Sequence, residues 1–224
     1  MPADQPRVWT IRSARPDDAD ALYDICLRTG DAGKDATGLY RDPRLLGEVW
    51  VGPYLALAPE LAFVLTAPGP DGEALARHTG QEGGAVAPPD RVVGYVLGVA
   101  RTDVFEDRCE ADWWPALRQR YPRGSAAPGT PEAELLERVH HPPRAPRGVV
   151  VDHPAHLHVD LLPEVQGGGN GRRLLERLFA ALRAAGAPGV HLGVDPANGN
   201  AVAFYRHLGF RASATPGLLV RDLP

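Results

Sequence analysis

The chain has 224 residues, 44% apolar and 23% charged, with 24 basic against 28 acidic side chains and a net charge of −4. That balance suits a globular protein and, with no basic block, gives no footing to nucleic acid or an anionic membrane. There is no apolar run of about 18 residues and no signal-like start. The two cysteines, Cys26 and Cys109, make no metal or redox spacing, so the expectation is a soluble cytoplasmic protein with core or incidental thiols.

Val8 to Ser13 reads as a first strand. Asp17 or Asp18 can cap the helix that follows, whose stripe is Ala21, Leu22, Ile25 and Cys26 and which Gly30 ends. The loop "DAGKDATGLYRD" leads to Asp42 and Pro43, which open a second helix toward Leu55. Leu61 to Ala67 and Arg91 to Ala100 are buried strands, the second apolar throughout as a central strand is. The Gly- and Pro-rich stretch 68–90 between them is a loop excursion. A second excursion, 106–148, holds two short helices, "EADWWPALRQRYP" and "TPEAELLERVHHPP", with Trp113 and Trp114 packed in the insertion itself.

Ala155 to Pro163 alternates Leu and Val with His156, His158 and Asp160, so these three share one face of a strand. Next comes "PEVQGGGNGRRLL", then a helix from about Gly171 to Ala185 with Leu174, Leu175, Leu178, Phe179 and Leu182 on one side. A strand Val190 to Asp195, a helix "NGNAVAFYRHLGF" stopped by Gly209 and a short strand pair close the chain.

A strand, a glycine loop and a helix gather free amides and the positive end of a helix dipole at one point, which favours a phosphate. The spacing excludes two familiar users of that device. Starting from Gly167, both G-x-G-x-x-G and G-x-x-x-x-G-K-[ST] require glycine where Arg172 stands. A cation at a helix start is mildly unfavourable without an anion nearby, which assigns Arg172 toward a ligand. The H-x-H-x-D run of His156, His158 and Asp160 could begin a zinc site, but Leu161 stands where a further histidine is needed. Tyr205 taken alone reads as a half-buried core aromatic, and Asn198 as a helix cap.

Gln166-x-x-Gly169-x-Gly171 resembles the Q/R-x-x-G-x-G/A loop of the GNAT superfamily of N-acetyltransferases, and Asn198, Ala201, Tyr205, Gly209 and Phe210 resemble its last helix. The opening "IRSARPDDADAL" is similar to the usual first strand and helix. "YDICLRTGDAGKDATGLY" with "GEVWVGPYLALAPE" is similar to the acetyltransferase-like domain fused to O-GlcNAcase and to its free-standing bacterial relatives. The resemblance implies an α/β fold in one domain, 1–224: a mixed, mostly antiparallel sheet with helices on both faces and two strands, 155–162 and 190–195, splayed around the pantetheine arm.

It further implies acetyl-CoA as cosubstrate, with no metal. Its diphosphate would be gripped by Gln166, Gly167, Gly168, Gly169, Asn170, Gly171 and Arg172, and its amides by Asn198 and by unpaired amides at Leu161 and Leu162. Asp160 is then the base and Tyr205 the acid in direct transfer to an amine, with Asp31, Asp35, Thr37 and His158 toward the acceptor. The alternatives are a non-catalytic acetyl-CoA-binding pseudo-acetyltransferase and, remotely, a zinc hydrolase on the histidine strand. The acceptor and any homodimer stay open.

Overall fold

The structure, a computed structural model, describes residues 9–67, 90–194 and 198–224. Seven strands are present there: β1 (Thr10–Ser13), β2 (Ala62–Ala67), β3 (Arg91–Val99), β4 (Ala155–Leu161), β5 (Gly189–Gly193), β6 (Arg211–Ala212) and β7 (Leu218–Asp222). They make one sheet in the order β1-β2-β3-β4-β5-β7-β6. Every neighbouring pair is antiparallel except β4 with β5. The expected mixed, mostly antiparallel sheet is what forms. β2 and β3 are interior strands of it, and their near-continuous apolar sequence follows from burial on both faces.

Helix α1 (Ala19–Thr29) covers one face with Leu22, Ile25 and Cys26. The helix Asn170–Ala184 covers the other with Leu174, Leu175, Leu178, Phe179 and Leu182. Gly98 on β3 makes room for it, since a Cβ there would stand 2.7 Å from the Leu178 side chain. Between β1 and β2 the single helix expected from Asp42 to Leu55 is two, α2 (Leu45–Trp50) and α3 (Gly52–Leu57). Pro53 has no amide to give and cannot continue the ladder, so the chain turns at Val51. Asp18 does not cap α1 as expected. It folds back to accept from the Arg15 amide at 2.7 Å and grips Arg12 through two bonds of 2.6 and 2.8 Å.

The insertion after β3 is longer and more helical than the sequence suggested. It contains α4 (Thr102–Arg108), a π-type turn at Cys109–Trp113, α5 (Trp114–Arg120), α6 (Pro131–His140) and α7 (Arg147–Asp152). It is bolted to α2 and the preceding loop. The Trp113 indole donates to the Glu48 carbonyl at 2.9 Å, Arg120 pairs with the buried Glu48 carboxylate at 2.6 Å, and Tyr121 donates to Asp42 at 2.6 Å. Arg41 pairs with Glu132 at 3.1 Å. Helices α8 (Asn170–Ala184) and α9 (Gly199–His207) complete the fold. The excursion placed at 68–90 falls, but for Asp90, outside the described residues, as do the strand ends expected at Val8 and Asp195.

At the joint between insertion and core, a Cβ on Gly52 would lie 2.5 Å from the Tyr23 hydroxyl and would also strike the Trp113 ring. Gly52→Ala is expected to cost about 2 kcal/mol of stability through overpacking. Denaturant unfolding checks this; a midpoint equal to the parent's would mean that the joint is slack.

Candidate functional site

The site begins where β4 and β5 part. Their pairing covers only Ala155 with Val190 and His156 with His191. Beyond it, β4 remains hydrogen-bonded to β3 on one side while its other edge faces a gap. The Leu162 amide donates to the Val93 carbonyl at 3.0 Å, so the expectation of a free amide there is corrected. Because amide directions alternate along a strand, the same register turns the Leu161 amide toward the gap.

The glycine loop closes one end of the gap. Gly167 and Gly169 both have φ of +77°, a conformation L side chains rarely adopt, and neither would crowd a neighbour if given a Cβ. Backbone shape, not space, requires glycine at both positions. The first intrahelical bond of α8 runs from the Arg173 amide to the Gly169 carbonyl at 3.1 Å, so the amides of residues 169–172 have no acceptor within the helix. Asn170 holds this loop from beneath: its buried side chain donates to the Val165 carbonyl at 3.1 Å and accepts from Arg173 at 3.2 Å. Its side chain is therefore committed, and what it can offer a ligand is its amide. Gln166 donates to the Leu161 carbonyl at 2.9 Å. Arg172 lies exposed on the rim, paired with Glu176 at 2.7 Å.

From this loop a cleft of about 1090 Å³ runs between α1, α2, β4 and α9. Asp160 sits on its wall. The fully buried Tyr95 on β3 donates to the Asp160 carboxylate at 2.5 Å, and burial raises the acid's pKa against the pull of that bond. Tyr205 on α9 also lines the cleft; burial, then the nearby Asp160 charge, push its phenol upward, so it stays protonated. Cys26 is a buried core thiol, as expected, and also borders the cleft. It is bonded to Tyr95, and burial followed by the Asp160 charge push the thiol up to about 12, which makes it a poor nucleophile.

The two histidines differ. Thr102 Oγ1 donates to the Pro154 carbonyl at 2.7 Å, so its contact of 2.7 Å with His156 Nδ1 is one in which the imidazole donates. His156 Nε2 is left to accept from the Tyr54 hydroxyl at 2.7 Å. With both nitrogens committed, His156 has no lone pair free for a metal in this arrangement. Among the described residues no cluster of three His, Cys, Asp or Glu side chains could hold a metal. His158 instead lines the cleft, edge-on to Trp50 and Tyr54 at 5.3 Å each. Burial and then the Arg138 charge push it down to about 4, so it is neutral at physiological pH.

Three of the proposed acceptor residues are not brought to the cleft. Asp35 accepts from the Thr37 amide at 2.8 Å and hydroxyl at 2.5 Å, an exposed turn in which each satisfies the other. Asp31 is tied through its backbone to Lys34. The loop instead presents Thr29, Gly30, Ala32 and Gly33. Asn198 caps α9 by accepting from Ala201 at 3.0 Å, and it lies on the cleft wall. Sequence reasoning missed Tyr95, hidden in an apolar strand, and Trp50, one aromatic among several.

Residues 140–210 match the family described as Acetyltransferase (GNAT) family. SsHAT, a solved structure, is 39% identical, with a TM-score of 0.81 and coverage of 96% of this chain and 98% of that one. Protein O-GlcNAcase of Rattus norvegicus is 25% identical over 207 residues, 91% of this chain; the chain spans only 20% of that relative's length. The yncA protein of Salmonella typhimurium, solved with its cofactor acetyl-CoA, has a TM-score of 0.50 at 18% identity, covering 97% of this chain and 95% of that one, a likeness of fold alone.

The unfolded chain protonates its histidines near pH 6.5, whereas His156 and His158 are held well below that value by burial. Their stabilising contribution is complete above that pH and is lost as the pH falls toward about 4. Asp160, raised by burial, acts with the opposite sign in acid. The melting temperature is therefore expected to drop by several degrees between pH 7 and 4.5, and His158→Gln to flatten the drop; an unchanged slope in the variant would contradict the assignment.

Proposed function

The chain belongs to the GNAT family of acetyltransferases, and on that premise we propose that it moves an acetyl group from acetyl-CoA to an amine by direct attack. The observation that carries this reading is the sequence of groups along one cleft: unpaired amides at the start of α8, an outward amide at Leu161, then Asp160 and Tyr205. The residues present fit the cosubstrate. Amides 169–172 with the helix dipole suit a diphosphate, Gly167 and Gly169 give the loop its shape, and the unpaired stretch of β4 offers amide partners to a pantetheine arm.

Acetyl-CoA supplies an activated thioester and a thiolate leaving group. The chain supplies the rest. Asp160 takes a proton from the acceptor's amine; burial makes it more basic than an exposed carboxylate, and Tyr95 fixes its orientation. Tyr205 donates a proton to the departing sulfur, and the proton gathered at Asp160 restores it. The Asp160 charge already acts on the phenol, so the two groups are near enough to be coupled. Neutral His158 stands two residues from Asp160 on the same face and is free to hydrogen-bond the acceptor.

Tyr205→Phe and Asp160→Asn are each expected to lower amine-dependent thiol release by about 10²–10⁴-fold while leaving coenzyme A affinity within a few fold. Thiol detection and calorimetry on the same preparations check both. Coenzyme A binding with no thiol release from any amine in a broad panel would instead assign the chain as a binding module without transferase activity.

A further inference from the structure

Asp160 is the one carboxylate among the described residues lining the cleft. An acceptor with a second positive charge would find no partner on that lining, since Asp31 does not reach it and Asp35 is spent in its own turn. The charge next to Trp50, just outside the residues that line the cleft, is of the other sign. Arg138, on α6 of the insertion, lays its guanidinium over the Trp50 ring, 5.0 Å from the centroid. Trp50 in turn meets His158 at 5.3 Å.

Arg138 forms no ion pair with a described carboxylate, although Glu134 stands one turn earlier on the same helix, the usual place for one. Arg118 and Arg120 of the neighbouring α5 are paired with Glu110 and Glu48. Burial lowers the Arg138 pKa with no carboxylate acting against it. A guanidinium stacked on an aromatic ring keeps its in-plane donors available for a planar or tetrahedral anion.

We propose that Arg138, seated on Trp50 beside His158, is an anion-binding subsite for the acceptor, which is therefore an amine carrying a carboxylate or phosphate at some distance from the nitrogen that is acetylated. The inference rests on the transferase reading above and names its substrate class. One strand repeat, about 6.6 Å, separates His158 from Asp160, and Arg138 is reached from His158 only across the Trp50 ring, 5.3 Å from the one and 5.0 Å from the other, so the acceptor has to span several bonds between its amine and its anion. That spacing excludes a free α-amino acid recognised through its own carboxylate and favours an elongated acceptor.

The test compares three amines of equal reach in the full chain with acetyl-CoA: 8-aminooctanoate, its neutral amide, and 8-aminooctyl phosphate. Wild type is expected to favour at least one anionic acceptor over the amide by about tenfold in kcat/KM, and the better anion identifies the group received. Arg138→Gln should abolish that preference and Arg138→Lys should keep part of it, both with the parent's near-ultraviolet circular dichroism. Equal kcat/KM for acid and amide in wild type, or a preference that survives in Arg138→Gln, would overturn the proposal. If no amine releases thiol, the transferase reading fails, and calorimetry with N-acetyl-8-aminooctanoate in the presence of coenzyme A decides the subsite separately. Binding that weakens about tenfold in Arg138→Gln supports it, and absent or unaltered binding refutes it.

Discussion

The parting of β4 from β5 after two residue pairs is the constraint on which the site depends. A sheet that kept pairing would satisfy its own amides and present nothing to a ligand. Here the parallel pair ends early, while β3 continues to hold β4 in register from His156 on, through the Leu162 amide. One edge of β4 is rigid and the other is open. An unsatisfied strand edge is costly unless water or a ligand meets it, and the glycine loop at the end of the same strand places a second set of unpaired amides against that opening. The cleft is thus a consequence of where pairing stops, with α8 and α9 closing it on two sides.

A second dependence runs through Tyr95. A carboxylate on a buried strand position is unfavourable unless hydrogen-bonded. Asp160 is accommodated because the facing strand carries a hydroxyl at the paired position, Tyr95 opposite Asp160 in the register. The same phenol takes up Cys26 from α1. One side chain therefore joins the sheet, the first helix and the acid on the cleft wall. The insertion performs the matching task at the other end, where Glu48 collects Tyr23, Arg120 and, through its backbone, Trp113. It fixes α2, and with it Trp50, relative to β4.

Much of this was legible in the sequence because it rests on local rules. The glycine run, the leucine stripe of α8 and the alternation of His156, His158 and Asp160 each follow from the periodicity or backbone needs of one element. What was not legible depends on register and on side-chain competition. Tyr95 reads as core until one knows that Asp160 is its cross-strand partner. Leu162 reads as an open amide until Val93 is found opposite it. Asp35 and Thr37 read as acceptor ligands because they are polar and in the right loop, yet a two-residue turn lets them satisfy each other. Pro53, by contrast, was a visible break in α2 and α3 whose consequence the helical pattern around it concealed.

The central claim is that unpaired amides at the start of α8 and on the open edge of β4 hold one cosubstrate between them. A crystal structure with acetyl-CoA tests it most directly. The account predicts diphosphate oxygens about 3 Å from the amides of residues 169–172, and the thioester carbonyl at the Leu161 amide with Asp160 and Tyr205 on either side. A diphosphate bound elsewhere on the molecule, or an arm lying outside the gap between β4 and β5, would contradict it.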